Sequence, residues 1–372
     1  MQSSPVRAPF YIKLALTLFN LIALVYIAFV GRQVLMPILF AFLFAILLLP
    51  LTQLFEYRMR MSRGLACLTA VVVFVVSLAF IGNLLGLQIA SLAGDWPQLK
   101  TQLLGLQQTV QQWLQTKLHI DAKKQAAFIN DASKSFMAGS SGVLKSTLFS
   151  VSALAILLTL TFIYTFFFLY LRKLLVRFLV AAFTDKHAGL ISEIAMQVQY
   201  VIKRYIVGLV MEMLVVSCIA IIVFLTLGVK YFFLLGLLVG ILNILPYVGI
   251  FTALAVAACV TFATAGGNSA LLVAVSVICI HLVDSNFLMP RIVGSHVKLN
   301  AFFVIIGVVL GEMIWGIPGM FLSVPYLAIA KVVFDRIEGL QPWGVLIGEE
   351  EHTPKKVKPL QQWMKRKPAK KP

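Results

Sequence analysis

The sequence predicts an all-α, polytopic membrane protein with about eight membrane segments, two of them broken and open to reading as re-entrant hairpins. Three observations carry this. Of 372 residues, 60% are hydrophobic and 12% charged, with a mean hydropathy of +0.96; a soluble domain of this size could not bury so much apolar surface. The apolar residues form continuous runs of about 20, the helix length that crosses a hydrocarbon core about 30 Å thick. A membrane barrel would instead give short alternating strands. The formal net charge of +17 gathers beside those runs, the pattern of cytoplasmic loops, so nucleic acid is not an expected partner.

Taken in order, the chain opens with a short basic stretch (Arg7, Lys13) and a first span, 14–30, read as an uncleaved anchor. After Gly31-Arg-Gln33 comes a second span, 34–55, with Pro37 near its start and Pro50 near its end. The basic loop Tyr57-Arg-Met-Arg-Met-Ser-Arg63 is expected in the cytoplasm and leads to a third span, 65–89. Residues 90–147 are rich in Gln, Ser, Thr and Lys and too polar to span. Within them Leu99, Leu103, Leu106, Val110 and Trp113 step by four and three. That is either the seam of a packed helix or the apolar face of one lying on the membrane. Gly139-Ser-Ser-Gly142 matches the Gly-x-Ser-Gly of rhomboid proteases only in letters, because it stands in a polar linker.

A fourth span, 148–171, ends at Arg172, Lys173 and Arg177. In 185–205, Leu190, Ile194, Val198, Val201 and Tyr205 share a face, which reads as a cytoplasmic interfacial helix before a fifth span, 206–227. The regions expected are therefore N-terminal spans in 1–89, an extracytoplasmic amphipathic helical segment in 90–147, and a fourth span with its cytoplasmic helix in 148–205. A transport core in 206–336 and a basic cytoplasmic tail in 337–372 come after them. The Lys- and Pro-rich end of that tail reads as disordered and, like the basic loops, as a contact for anionic lipid worth about 1 kcal/mol per basic residue.

The core holds the informative breaks. Residues 231–264 form an apolar segment too long for one crossing, interrupted at Asn243, Pro246 and Gly249; 301–334 repeats the plan, interrupted at Trp315-Gly-Ile-Pro-Gly319. Proline removes a backbone donor and clashes with the preceding turn. Freed backbone groups survive in a membrane only where protein or a wet cavity meets them. Paired interruptions of this kind point to a transporter's binding site; two ordinary kinked spans are the plainer alternative. If both segments cross fully, Arg291 and Lys298 fall outside. If both are hairpins entering from opposite faces, that loop falls inside, as basic loops prefer, and the tips meet near the midplane.

Ionisable groups in apolar segments are costly and mark function. His281 and Asp284 share a helical face, with Asn286 just beyond; Glu312 lies three residues before Trp315. Asp284 is expected to carry a proton or cation, or else to pair with Arg291. Glu212, near the start of the fifth span, is expected at the interface beside Lys203 or Arg204. Cys67, Cys218, Cys259 and Cys279 have no metal-ligand spacing.

Asn243-Ile-Leu-Pro-Tyr-Val-Gly249 resembles the Asn-x-(Ile/Leu)-Pro-Tyr-(Ile/Val)-Gly hallmark of the autoinducer-2 exporter (AI-2E) family. Asp284-Ser-Asn-Phe-Leu-Met-Pro-Arg-Ile-Val-Gly294 is similar to its Asp-x-Asn block with following Pro and Gly; Gly316-Ile-Pro-Gly319 and Pro325 match its last block. Where the family often has Gly-Pro, this chain has Gly249-Ile250. The helix breaks, the intramembrane polar groups and the resemblance together give an expected pathway through Asn243, Pro246, Tyr247, Gly249, His281, Asp284, Asn286, Pro290, Glu312, Gly316, Pro318 and Gly319. The resemblance also implies a homo-oligomer; the expected setting is the bacterial inner membrane, with the basic termini in the cytoplasm. No Gly-x-x-x-x-Gly-Lys-(Ser/Thr) motif occurs, so active transport would be gradient-driven or use another subunit. The expected function is export of a small polar solute such as autoinducer-2, coupled to a proton or sodium ion, with no enzyme activity, cofactor or metal. A sodium/proton antiporter or channel-like ion pore is the alternative, and a scaffold is a third.

Overall fold

The computed structural model describes residues 9–95, 101, 154–182, 188–246, 248–292 and 299–349, and these are helical almost throughout. We number the helices α1 (Phe10–Val30), α2 (Arg32–Tyr57), α3 (Arg63–Gly94), α4 (Leu154–Ala181), α5 (Ala188–Thr226), α6 (Phe232–Asn243) and α7 (Val248–Ala265). Next come α8 (Gly267–Val283), α9 (Ala301–Trp315), α10 (Ile317–Arg336) and α11 (Gln341–Ile347). A π turn, Asp284–Leu288, and one last turn, Met289–Ile292, prolong α8. Among the described residues seven helices are long and apolar enough to cross a membrane. The polytopic all-α class is thus observed.

Both broken segments are helical hairpins. α6 has 12 residues and α9 has 15, about 18 and 22 Å at 1.5 Å per residue, short of a 30 Å crossing. Each packs back along the helix that comes after it. In the second hairpin the Ser323 hydroxyl of α10 donates to the Gly307 carbonyl of α9 at 2.7 Å. Its turn is Gly316, at φ 67°, where a side chain would be strained. Its base is closed: Leu299 and Gly348 form a β-bridge, and the Asn300 amide donates to the Ile347 carbonyl at 3.0 Å. Both ends of this hairpin therefore lie at the same end of the bundle. Arg336 pairs there with Glu193 of α5 at 3.4 Å.

The first hairpin starts from the opposite end. Lys230 and Tyr231, just before α6, both donate to the carboxylate of Asp95, just after α3. The hydrogen bond from Lys230, then that from Tyr231, hold the Asp95 carboxyl below the usual carboxylate range. The same contact raises Lys230. A lowered acid contributes above its unfolded value and is lost as pH falls through its folded one. The clasp is therefore complete at neutral pH; it is lost in acid as Asp95 protonates and in alkali as Lys230 deprotonates. Asp95→Asn is expected to cause a small, salt-sensitive drop in Tm near neutrality that vanishes at acid pH. Melting curves in detergent across pH check this, and a deficit that widened toward acid would contradict it.

Three apolar clusters hold the bundle together. Val216, Ala220 and Phe224 of α5 meet Leu235 and Val239 of α6, Ala253 and Ala257 of α7, and Val273 and Val277 of α8. Leu43 and Ile46 of α2 meet Val198, Val201, Ile202 and Tyr205 of α5 and Leu322, Ala328 and Val332 of α10. Ala45 and Leu48 of α2 meet Cys67 and Val71 of α3 and Leu169 of α4. α2 and α5 each serve two clusters, which ties the hairpins into one body. Outward faces stay apolar, as with Phe19 and Ile22 of α1 at 69% and 67% exposure, the surface lipid would cover.

Several expectations need correction. The helix expected along the interface in 185–205 is continuous with the fifth span in the 39 residues of α5. Its apolar face packs on α2 and α10 instead of lying on the membrane. α3 runs past 89 to Gly94. The remainder of the polar segment up to 147, the basic tail from 350 and Tyr247 fall outside the described residues, Thr101 excepted.

Candidate functional site

The tip of the first hairpin places Asn243 at the last position of α6, where Pro246 stops the helix and the chain reverses. The reversal is tight. A Cβ on Gly249 would lie 1.7 Å from the Leu242 carbonyl oxygen, so only glycine lets α7 start this close to α6. Asn243 is thereby held between two helices. Its Nδ2 donates to Asp284 Oδ2 at 2.9 Å and reaches Glu212 Oε1 at 3.4 Å, a long and weaker bond. Asp284 is 3% exposed and Glu212 6%, and both approach the one Asn243 nitrogen. Among the described residues neither carboxylate has a cation within 4 Å, and Asp284 Oδ1, although buried, has no hydrogen-bond partner.

These groups line a cavity of about 450 Å³ together with Tyr205, Leu209, Pro246, His281, Ser285 and Val324. His281 Nε2 lies 3.3 Å from Ser285 Oγ, while its buried Nδ1 has no partner among the described residues. Phe251 and Met289, 71% and 51% exposed, stand where the cavity opens to the outer surface. The apolar walls leave water few partners, so the carboxylates, amide and imidazole are the groups a polar occupant would meet.

The π turn sets Asp284 in place. A π turn adds one residue to the helix and is frequent at functional sites. Here the Met289 amide bonds back to the Asp284 carbonyl, and the Asn286 side chain donates to the Leu282 carbonyl at 2.7 Å. Asn286 is thus exposed and braces the turn; it does not line the cavity.

Of the residues expected to form one pathway, Asn243, Pro246, His281 and Asp284 come together, with Gly249 at the seam beneath them. Pro290 continues the helix directly after Met289, the last residue of this helix to line the cavity. Glu312, Gly316, Pro318 and Gly319 do not join them. The second hairpin meets the cavity through Leu299, Ala301, Val304 and Val324, toward its base. Its tip sits elsewhere: Trp315 Nε1 donates to the Ala28 carbonyl of α1 at 2.9 Å, Glu312 is exposed, and Gly319 is buried against Gly311. The tips therefore do not meet; the first reaches the base of the second. Nor does Asp284 pair with Arg291, which is exposed.

Glu212 is the residue misplaced from sequence. It is buried in the cavity, while Arg204, one of its expected partners, lies over the Tyr200 ring at 5.5 Å. The signal was present: Val198, Tyr205 and Glu212 are seven apart, so Glu212 continues the packed face of α5.

A family model described as "AI-2E family transporter" matches residues 18–339. Similar proteins include YueF of Bacillus subtilis (strain 168), 25% identical over 315 residues, covering 80% of this chain and 82% of that one. The AI-2 transport protein TqsA of Escherichia coli (strain K12) is 24% identical over 323 residues, covering 86% and 90%. YrrI of Bacillus subtilis (strain 168) is 34% identical over 129 residues, covering 35% and 36%; that match spans about a third of each chain.

Proposed function

This chain belongs to the AI-2E transporter family, and we propose that it is a gradient-driven exporter of a small polar solute such as autoinducer-2, coupled through Asp284 and Glu212. The observation that carries the reading is the pair of buried carboxylates on one amide, that of Asn243, in a cavity that reaches the protein surface at Phe251 and Met289. Two bare carboxylates side by side in an apolar interior repel and are poorly solvated. A proton or sodium ion between them removes that cost, so occupancy of the pair and the position of the hairpin tip are coupled. The name of TqsA supports autoinducer-2 as the first solute to test.

Sodium/proton antiport is the second reading, and the same carboxylate pair favours it, since it needs no organic solute. Flux in proteoliposomes separates the two. Autoinducer-2 accumulation under an imposed proton or sodium gradient supports the exporter. Sodium flux driven by a pH gradient, with no autoinducer-2 movement, supports the antiporter. No gradient-dependent flux of either kind overturns both.

Sidedness is set by charge. The end carrying Arg58, Arg60, Lys173 and Arg177 is assigned to the cytoplasm of a bacterial inner membrane. Both termini and the base of the second hairpin lie on that side in this reading. In a variant lacking the native cysteines, Gly267→Cys is expected to react with an impermeant maleimide in intact cells. Glu338→Cys is expected to react only after permeabilisation. The reverse pattern would invert the assignment; equal labelling of both would remove the hairpins as re-entrant elements. Glu312, a carboxyl on the exposed face of α9 between Leu310 and Met313, 51% and 68% exposed, supports a homo-oligomer, because a second copy would cover it.

A further inference from the structure

A second charged site lies away from the cavity, where α2, α3 and α4 converge at the basic end. Arg172 Nη2 of α4 donates to Glu56 Oε2 of α2, and both side chains are largely buried, 20% and 11% exposed. The guanidinium of Arg63, the first residue of α3, lies over the ring of Tyr170, 5.7 Å from its centroid. Tyr170 lies two residues before Arg172 on α4, so Arg63 and the Arg172–Glu56 pair form one cluster.

The cluster is incomplete. Among the described residues, three donor nitrogens, Arg63 Nε and Nη2 and Arg172 Nη1, and one acceptor oxygen, Glu56 Oε1, are shut off from solvent without a hydrogen-bond partner. Buried charged donors without acceptors are expensive, and these three outnumber the one free oxygen of Glu56. The cluster carries a net positive charge. The Ser62 side chain does not cap α3, which leaves the positive end of a 32-residue helix uncapped at the same place. Arg58 and Arg60 stand exposed beside it. An anion with several oxygens fits this donor set, and guanidinium forks suit phosphate.

A groove continues from the cluster into the apolar zone. Tyr170 stacks on Phe166, ring centroids 5.8 Å apart. Phe166, with Phe162, Ile163, Leu68 and Val71, lines an apolar cavity of about 260 Å³ between α3 and α4. Charged donors above an apolar groove, at the level where a membrane helix ends, match a phosphate with an acyl chain attached. We propose that Arg63 and Arg172 bind the phosphate of an anionic phospholipid, with one of its acyl chains lying in the groove between α3 and α4.

The test is native mass spectrometry of the full chain in mild detergent, titrated with phosphatidylglycerol and, separately, with phosphatidylcholine. Phosphatidylglycerol is expected to be retained in preference, and Arg63→Gln is expected to weaken it by about tenfold, the scale of one charged hydrogen bond. This variant keeps the Arg172–Glu56 pair. If it fails to fold, Arg63→Lys keeps the charge without the fork and is expected to show a smaller loss. Leu68→Trp, which fills the groove, is expected to weaken lipid retention as well. Wild-type retention in both the Arg63 and Leu68 variants would place the lipid elsewhere and overturn the proposal. Displacement of phosphatidylglycerol by inorganic phosphate would make this a free-phosphate site. Equal retention of the two lipids, indifferent to Arg63, would leave only an apolar groove.

Discussion

Asp284→Asn is expected to reduce gradient-driven accumulation in proteoliposomes to the level of empty liposomes, while the protein remains folded and passive exchange survives. Asparagine keeps the shape of the side chain and can still accept from Asn243, whose Nδ2 donates to Asp284 Oδ2 at 2.9 Å. Its loss is the ability to change charge. A carboxylate that is 3% exposed, with one oxygen unpartnered among the described residues, can take up a proton or cation at little structural cost. An amide cannot. Glu212→Gln is expected to act in the same direction, and the double variant to be no worse than Asp284→Asn alone, because residues acting as one unit are not additive. Arg291→Gln is expected not to rescue, since Arg291 is exposed rather than paired. Full accumulation in Asp284→Asn would remove the residue from coupling; rescue by Arg291→Gln would reduce it to a structural partner.

Much of this arrangement is legible in the residues, for physical reasons. Apolar runs of membrane length leave a chain little choice of class. Pro246 and the Gly316–Pro318 turn break their helices wherever those helices sit, so both hairpins can be placed. Their depth cannot be, because a break says where a helix stops and not which residues stand opposite. Only the packing shows the first tip reaching Leu299 and Val304 while Trp315 docks on α1. Asn286 departs from expectation for a related reason. Nearness in sequence suggests it as a ligand, yet two residues past Asp284 is about 200° around a helix, so its side chain turns away and donates to the Leu282 carbonyl. Glu212 departs for a different one. Burial of a carboxylate is costly, and that cost argues for the interface, yet an amide on a neighbouring helix and a cavity make the buried position tenable.

Gly249→Ala is the second large effect, and it tests the hairpin tip itself. The added methyl would sit 1.7 Å from the Leu242 carbonyl oxygen and 2.6 Å from its carbon. Both are backbone atoms, so no rotamer change relieves the clash; α6 and α7 must part at the turn. Overpacking of this kind costs about 1–3 kcal/mol or more. The functional loss is expected to exceed the loss of stability, because Asn243 comes directly after Leu242 and moves with it. A displacement of about 1 Å is enough to break a bond of 2.9 Å to Asp284 and the weaker one at 3.4 Å to Glu212. The variant is therefore expected to melt lower in detergent and to show no gradient-driven accumulation, even at temperatures where it remains folded. Gly82→Ala in α3, where a Cβ meets nothing within 4 Å, is the control. It is expected to leave transport unchanged and Tm unchanged or slightly raised, since alanine favours a helix over glycine by up to about 1 kcal/mol. A Gly249→Ala protein as stable and active as the wild type would mean that the tip is not held against Leu242 in the working transporter, and the placement of Asn243 between the two carboxylates would fall with it.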